Sequence, residues 1–196
     1  MKKYLLKKSH KLIGLTLLLI LSLVLSSCTT TADSTTPTPT TSQPTDMTSE
    51  TEEPVREVVY APDFELEDLD GNIVKLADLK GKDIFVNFWA TWCPFCVDEM
   101  PDLQLIYEKY KDEDFIVLAI NVQESAEKAK GYLEEAGINL PVLLDKDSRI
   151  AALYGANSIP LTIAVNKEGV AVTGYRGKLT YEQMETMYKM LLDSNE

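Results

Sequence analysis

The chain has 196 residues, of which 45% are hydrophobic, so it can hold one domain of ordinary size together with additional segments. Its formal net charge is -12, and an acidic surface repels nucleic acid, which excludes that class of partner. The single histidine is His10, in a segment that we expect to be removed. A catalytic Ser–His or Cys–His pair is therefore excluded, and we expect neither a metal site nor a cofactor.

The first 27 residues have the pattern of a secretory signal peptide. Residues 2–11 are basic, and the apolar run Leu12 to Leu25 that follows is shorter than the roughly 20 residues of a spanning helix. This stretch holds five lysines and no acid, so its removal leaves 14 basic residues against 31 acidic ones, a net charge of -17. We predict that residues 1–27 are cleaved from the mature protein.

The apolar run ends in Leu25-Ser26-Ser27-Cys28, which resembles the bacterial lipobox. The resemblance implies that Cys28 is lipidated and becomes the new N-terminus, anchored to the membrane outside the cytoplasm by more than one acyl chain. Residues 29–53 contain 11 Thr, 3 Ser and 3 Pro, a composition too polar to form a core. We therefore predict that residues 28–57 are the lipidated cysteine and a disordered tether. An uncleaved signal anchor with an incidental cysteine is the alternative.

From residue 58 the sequence has the pattern of a folded α/β domain. The turn signal Asp68-Leu69-Asp70-Gly71 predicts a β-hairpin, and the apolar run Ile84 to Trp89 predicts a buried strand. Further along we predict a helix at 93–111, a strand at 115–122, a helix at 125–136, a strand at 141–144, one or two helical turns at 148–154, paired strands at 161–165 and 170–175, and a closing helix at 180–192. This order indicates a central mixed sheet covered on both faces.

Cys93 and Cys96 stand directly after a predicted strand, where a helix is predicted to begin. Backbone N–H groups and the positive end of the helix dipole favour a thiolate at that place. With two residues between them the cysteines can close a disulfide in the first turn, so Cys93 should attack a disulfide and Cys96 should resolve the mixed disulfide. Two alternatives are a zinc site and a purely structural disulfide. A zinc site needs about four ligands, which the mature chain does not offer. A structural disulfide across so short a loop would add little stability, so we favour redox activity.

The residues around this motif resemble the TlpA/ResA-like branch of the thioredoxin superfamily, which consists of extracytoplasmic thiol–disulfide oxidoreductases. The resemblance covers about residues 58–193 and is carried by Tyr60-Ala61-Pro62-Asp63-Phe64, Leu79 to Lys82, Val86 to Cys96 and Glu99-Met100-Pro101. It implies a thioredoxin-like fold, with a central mixed β-sheet flanked by helices, an N-terminal β-hairpin and an inserted strand–helix unit between Phe115 and Leu144.

The same resemblance implies roles for residues near the cysteines. Pro160 occupies the place of a cis-proline that faces the disulfide, so that the backbone of Ile159 can pair with a substrate strand. Glu99 matches an acidic residue of this branch, and a buried carboxylate with a raised pKa can take the proton from Cys96. A surface glutamate is the alternative. We expect the substrate-binding surface to include the neighbours of the cysteines, Trp92, Pro94 and Phe95.

The sequence departs from cytoplasmic thioredoxins at Asn87, where they carry a buried Asp. An amide cannot shuttle a proton, and this strengthens the assignment of that task to Glu99. The dipeptide Pro94-Phe95 brings no histidine close to Cys93, so extreme stabilisation of a thiolate is not expected.

These features predict an enzyme that reduces disulfides of exported proteins. The resemblance implies that its electrons come from a membrane thiol carrier, and we expect a monomer. A disulfide-forming oxidase is the alternative within the same chemistry. A peroxidase would need a threonine three residues before the reactive cysteine, where Ala90 stands, and a copper-delivery module would usually need a histidine beside the cysteines.

Overall fold

The computed structural model describes residues 58–196, in which a seven-stranded mixed sheet carries helices on both faces. The strands are β1 (Glu65–Asp68), β2 (Ile73–Lys75), β3 (Asp83–Trp89), β4 (Phe115–Val122), β5 (Val142–Asp145), β6 (Leu161–Val165) and β7 (Ala171–Arg176). The α-helices are α1 (Pro94–Tyr110), α2 (Ala126–Ala136), α3 (Arg149–Leu153) and α4 (Tyr181–Ser194). The predicted signal peptide, Cys28 and the tether lie outside the described residues.

The sheet has the strand order β2-β1-β5-β4-β3-β6-β7. At its centre, β3 pairs in parallel with β4 and antiparallel with β6. The N-terminal hairpin of β1 and β2 is antiparallel and joins the sheet through β5. Strand β5 runs parallel to β4, and α2 makes the crossover between them. The expected mixed sheet, N-terminal hairpin and additional strand–helix unit are thereby confirmed.

The central strand β3 is buried along its whole length and divides the core into two layers. Because successive side chains of a strand point to opposite faces, Phe85 and Trp89 pack on the side of α1 and α4, whereas Val86 and Phe88 pack on the side of α3. Burial on both faces explains why β3 is a continuous apolar run in the sequence.

The topology brings three chain segments to one edge of the sheet. Since β3 and β4 are parallel, their C-terminal ends lie together, and antiparallel β6 begins at that same edge. The residues after Trp89, those after Val122 and those before Leu161 therefore meet there. This edge holds the predicted cysteine site.

Local sequence signals set the ends of the helices. Ser125 caps α2 by accepting the N–H of Lys128, and α2 ends at Gly137, whose φ of 67° suits glycine. A reciprocal capping box between Thr180 and Gln183 begins α4. Among residues 58–196, none of the helices is long and apolar enough to cross a membrane.

Candidate active site

Cys93 and Cys96 form a disulfide at the start of α1, with their Cα atoms 5.2 Å apart. Cys93 is the N-cap of this helix, and its Sγ accepts the N–H of Cys96 at 3.2 Å. Pro94 occupies the first helical turn, where a missing N–H costs nothing. The same N–H group and the helix dipole favour a thiolate on Cys93 once the disulfide is reduced.

The two cysteines differ in their exposure to solvent. Cys96 is fully buried, whereas Cys93 retains 5% exposure. The side chains that flank Cys93 are large, apolar and exposed, 57% for Trp92 and 65% for Phe95. A polypeptide that docks on this apolar surface therefore reaches Cys93 and not Cys96.

The segment before β6 faces the disulfide. The bond between Ile159 and Pro160 is cis, as the family resemblance implied. The carbonyl oxygen of Ile159 lies 3.6 Å from the Sγ of Cys93, while Pro160 is buried. Of the predicted substrate-binding residues, Ile159 thus lies next to the Cys93 sulfur, and Trp92 and Phe95 present exposed side chains beside Cys93 in the sequence.

Glu99 is fully buried beneath the site, so the alternative of a surface glutamate is wrong. One of its oxygens accepts the N–H of Leu179 at 2.8 Å, and the other accepts the side-chain amide of Asn87 at 2.8 Å. Burial raises the pKa of Glu99 to about 7, although both donors and the nearby charge of Lys178 favour the ionised form. Glu99 can therefore gain or lose a proton near neutral pH.

Asn87 connects this carboxyl to the sheet. Its amide also donates to the hydroxyl of Thr162 on β6 at 3.0 Å, while its Oδ1 is buried and has no partner among residues 58–196. Asn87 therefore links Glu99 to β6 by donating to both residues.

A second buried carboxyl, Glu124, was missed by the sequence analysis. It accepts the backbone N–H of Thr91 at 2.7 Å and the Thr91 hydroxyl at 2.6 Å. Asn121 donates to it at 2.9 Å and Lys128 pairs with it at 2.7 Å. Burial alone would raise the pKa of Glu124, but these hydrogen bonds lower it below its usual value. Glu124 thereby holds the loop that leads into Cys93.

One sequence signal pointed to Glu124. Asn121 and Glu124 stand at and just after the end of a buried strand, and the ends of parallel strands share one edge of a sheet. Polar residues at the end of one strand therefore lie next to the loop that follows the neighbouring parallel strand. The parallel pairing of β3 with β4 was needed to identify that neighbour as the cysteine loop.

Helix α2 also contacts the active-site helix. Pro101 lies inside α1 and has no N–H to donate to the carbonyl of Val97. The hydroxyl of Tyr132 on α2 donates to that carbonyl at 3.4 Å, and the Tyr132 ring lies against Trp89, with ring centroids 5.5 Å apart. The inserted unit therefore supports α1 at the turn that follows the cysteines.

Comparison with known proteins agrees with this geometry. The model of the AhpC/TSA family matches residues 59–173. The thiol-disulfide oxidoreductase ResA of Bacillus subtilis (strain 168) is 37% identical over 144 residues, which cover 74% of this chain and 80% of that protein. ResA of Bacillus thuringiensis (strain Al Hakam) is 37% identical over 131 residues, which cover 67% and 76% of the two chains.

A solved structure extends the comparison. A thiol:disulfide interchange protein of the thioredoxin family from Chlorobium tepidum TLS superimposes with a TM-score of 0.63 at 30% identity, over 69% of this chain and 97% of that one. The fold is therefore the thioredoxin fold, and the chain carries the Cys93–Cys96 pair at the start of α1. The chain belongs to the AhpC/TSA family and, within it, to the ResA-like thiol–disulfide oxidoreductases.

Proposed function

We propose that the protein reduces disulfides of exported proteins outside the cytoplasm, held at the membrane by a lipid on Cys28. The observation that carries this proposal is the position of Cys93. Cys93 is the less buried cysteine of the pair, the exposed residues Trp92 and Phe95 stand close to it in the sequence, and its sulfur is 3.6 Å from the carbonyl of Ile159. This arrangement suits an extended polypeptide that presents a disulfide.

The reaction proceeds through two exchanges. The Cys93 thiolate attacks one sulfur of the client disulfide, which breaks that bond, forms a mixed disulfide and releases the first client thiolate. The Cys96 thiolate then attacks the Sγ of Cys93 and releases the second client thiolate. Two electrons pass to the client, and the Cys93–Cys96 disulfide remains. A membrane dithiol carrier restores the reduced pair by the same chemistry.

Glu99 serves the second exchange as the base for Cys96. Both residues lie on the buried face of α1, three residues apart. A pKa of about 7 leaves a substantial fraction of Glu99 ionised and able to accept the Cys96 proton. The carboxyl becomes neutral as the thiolate forms, so the buried site never holds two negative charges.

The cysteine roles are tested by insulin reduction and by trapping. Cys93→Ser should abolish reduction, because the attacking sulfur is lost. Cys96→Ser should accumulate mixed disulfides through Cys93, which mass spectrometry of captured proteins detects. Reduction by the Cys93→Ser variant, or the absence of mixed disulfides with Cys96→Ser, would contradict the assigned order of attack.

A disulfide-forming oxidase is the second candidate, because the same exchanges run in reverse. The described residues favour the reductant, since Pro94-Phe95 places no cation between the cysteines that would stabilise a Cys93 thiolate strongly. When the thiolate is less stabilised, the disulfide form of the pair gains stability relative to the reduced form. The reduced pair then gives its electrons to a client more readily.

A further inference from the structure

Strand β7 lies at one end of the sheet, and within residues 58–196 only its beginning has a partner on the outer side, away from β6. There the N–H of Ala171 donates to the carbonyl of Val59 at 2.8 Å. The N–H of Ala61 donates to the carbonyl of Gly169 at 2.9 Å. The segment from Val59 to Ala61 therefore occupies the outer edge at the point where β7 begins.

The described chain begins on this edge and points along it. Tyr60 and Val170 form an antiparallel bridge, so the residues before Tyr60 advance beside the residues after Val170. Strand β7 ends at Arg176, which pairs with Leu161 at the edge of the sheet that holds the disulfide. Residues 54–58 span about 17 Å when extended, which is the length of the rest of β7. A continued strand would thus run to the disulfide edge.

An apolar groove of about 320 Å³ runs beside the outer edge of β7, between this strand and α4. Its lining includes Tyr175, Leu179, Met187 and Met190. Tyr175 and Met190 expose large parts of their side chains, as does Val58. A strand edge beside exposed apolar side chains is a site of association unless the protein covers it.

We propose that residues 54–58 form an additional strand, which pairs antiparallel with the outer edge of β7 and covers the groove beside α4. The tether, predicted to reach residue 57, then ends at residue 53 and leaves the domain at the edge that holds the disulfide. The inference goes beyond the proposed function, and the strand forms whichever way the electrons flow.

The side chains of this segment suit the groove. Ala61 packs on the α3 side of the sheet, and successive side chains of a strand alternate between faces. Val58 and Arg56 are therefore directed toward α4. The apolar side chain of Val58 and the apolar stem of Arg56 cover the groove, while the guanidinium stays in water.

The charges of the segment and the groove are complementary. Arg56 is the only basic residue among residues 12–74, and Glu182 is the only charged residue in the described lining of the groove. The strand brings these opposite charges together. A second copy of the chain, with its net charge of -12, would instead meet repulsion at the same edge.

The backbone pattern of the segment also fits. Val59 bonds to β7 through its carbonyl and Ala61 through its N–H, so in a continued strand the N–H groups of Glu57 and Val55 point toward β7 as well. Pro54 then stands where an N–H would point away from β7. An edge strand accepts proline at such a position.

Hydrogen exchange of the purified full chain, followed by mass spectrometry, tests the strand. The informative peptides cover residues 55–59 and 172–177. Glu57→Pro removes an N–H directed at β7 and puts the proline ring in its place. The amides that bond across this edge should then exchange at least about tenfold faster than in the wild type. Exchange in β3 should not change, which shows that the domain is folded.

Two control variants separate loss of the strand from general effects of substitution. Glu57→Ala changes the same side chain and keeps the N–H. Arg56→Pro places a proline at the neighbouring residue, whose N–H faces away from β7. Both variants should keep slow exchange in the two peptides. Insulin reduction should be equal in all variants, because the cysteine site is unchanged.

Three results would overturn the inference. In the first, residues 55–59 of the wild type exchange as fast as those of Glu57→Pro. In the second, Arg56→Pro accelerates exchange as much as Glu57→Pro. In the third, residues 172–177 stay protected in Glu57→Pro and their protection rises with protein concentration, which would assign the edge to a second copy. A wild type that does not reduce insulin would contradict the proposed function alone.

Discussion

At the scale of single residues, Glu99 decides how the site responds to pH. It is buried and receives two hydrogen bonds, yet its pKa is about 7, because the loss of hydration outweighs the donors. A glutamate in the unfolded chain has a pKa of 4.5, so the folded state binds more protons between pH 4.5 and pH 7. Stability therefore falls as the pH rises through this interval.

Replacement of Glu99 by Gln should remove this dependence. We expect the wild type to lose on the order of 3 kcal/mol of unfolding free energy relative to Glu99→Gln between about pH 4.5 and pH 8. The rate of the second exchange should also lose its rise near pH 7. Urea unfolding and stopped-flow measurement of exchange across this pH range give both quantities.

The control for this experiment is Glu108→Gln, which changes an exposed glutamate of the same helix. This variant should keep the pH profiles of both stability and exchange rate. Glu108 forms an ion pair with Lys111 at the surface, and an exposed ion pair contributes little to stability. If Glu99→Gln kept the profiles of the wild type, Glu99 would be neither the titrating group nor the base.

The central residues of the site could be predicted from the sequence, but their tertiary contacts could not. The spacing of Cys93 and Cys96 and the match of Glu99 to a family position predicted the central groups. The contacts that tune Glu99 come from β6 and from the segment before α4, at Thr162 and Leu179, which lie far away along the chain. Local patterns carry no information on such contacts.

At the scale of elements, the end of β4 supports the cysteine loop through Glu124. The carboxylate satisfies both the N–H and the hydroxyl of Thr91, and Lys128 balances its charge. Because the pKa of Glu124 is lowered, its contribution to stability is present above its usual pKa and is lost as the pH falls.

Glu124→Gln should loosen the loop before Cys93. The glutamine amide has one oxygen that can accept, and its NH₂ group would face the N–H or the hydroxyl of Thr91 as a second donor. We therefore expect the free energy of unfolding to fall by about 2 kcal/mol at pH 7, as measured by urea unfolding. Insulin reduction should slow as well, because the loop positions Cys93. Glu134→Gln, an exposed position on α2, is the matched control, and a loss of stability equal to that of this control would contradict the role of Glu124.

Most of the helices and strands could be predicted from the sequence, because they are long enough for the spacing of their apolar residues to show a period. The strand predicted at 115–122 has those bounds in the structure, and the closing helix differs by one or two residues at its ends. The 3₁₀ turn at Leu76–Leu79 was missed, since four residues show no periodicity. The strand order was also beyond reach, because the attachment of the N-terminal hairpin to β5 depends on long-range pairing.

At the scale of the whole molecule, the proposal joins an oxidoreductase domain to a membrane anchor. The sequence before residue 58 supports this part through its basic residues, its apolar run and Cys28. A tether would let the disulfide edge of the domain reach clients at a distance from the membrane.

Metabolic labelling with palmitate tests the anchor. The wild type should incorporate label, and Cys28→Ala should incorporate none, because the sulfur that carries the lipid is absent. Cys93→Ser serves as the control and should be labelled like the wild type. Label retained in Cys28→Ala would exclude Cys28 as the site of lipidation.

The equilibrium reduction potential of the Cys93–Cys96 pair distinguishes a protein that reduces disulfides from one that forms them. The purified protein would be brought to equilibrium in graded thiol–disulfide buffers, and the reduced fraction measured by thiol alkylation. We predict a potential near or below about -250 mV, in the range of thioredoxin, where the reduced pair gives its electrons to clients. A potential of about -120 to -180 mV, in the range of oxidases and isomerases, would make the protein a donor of disulfides and contradict the reducing role.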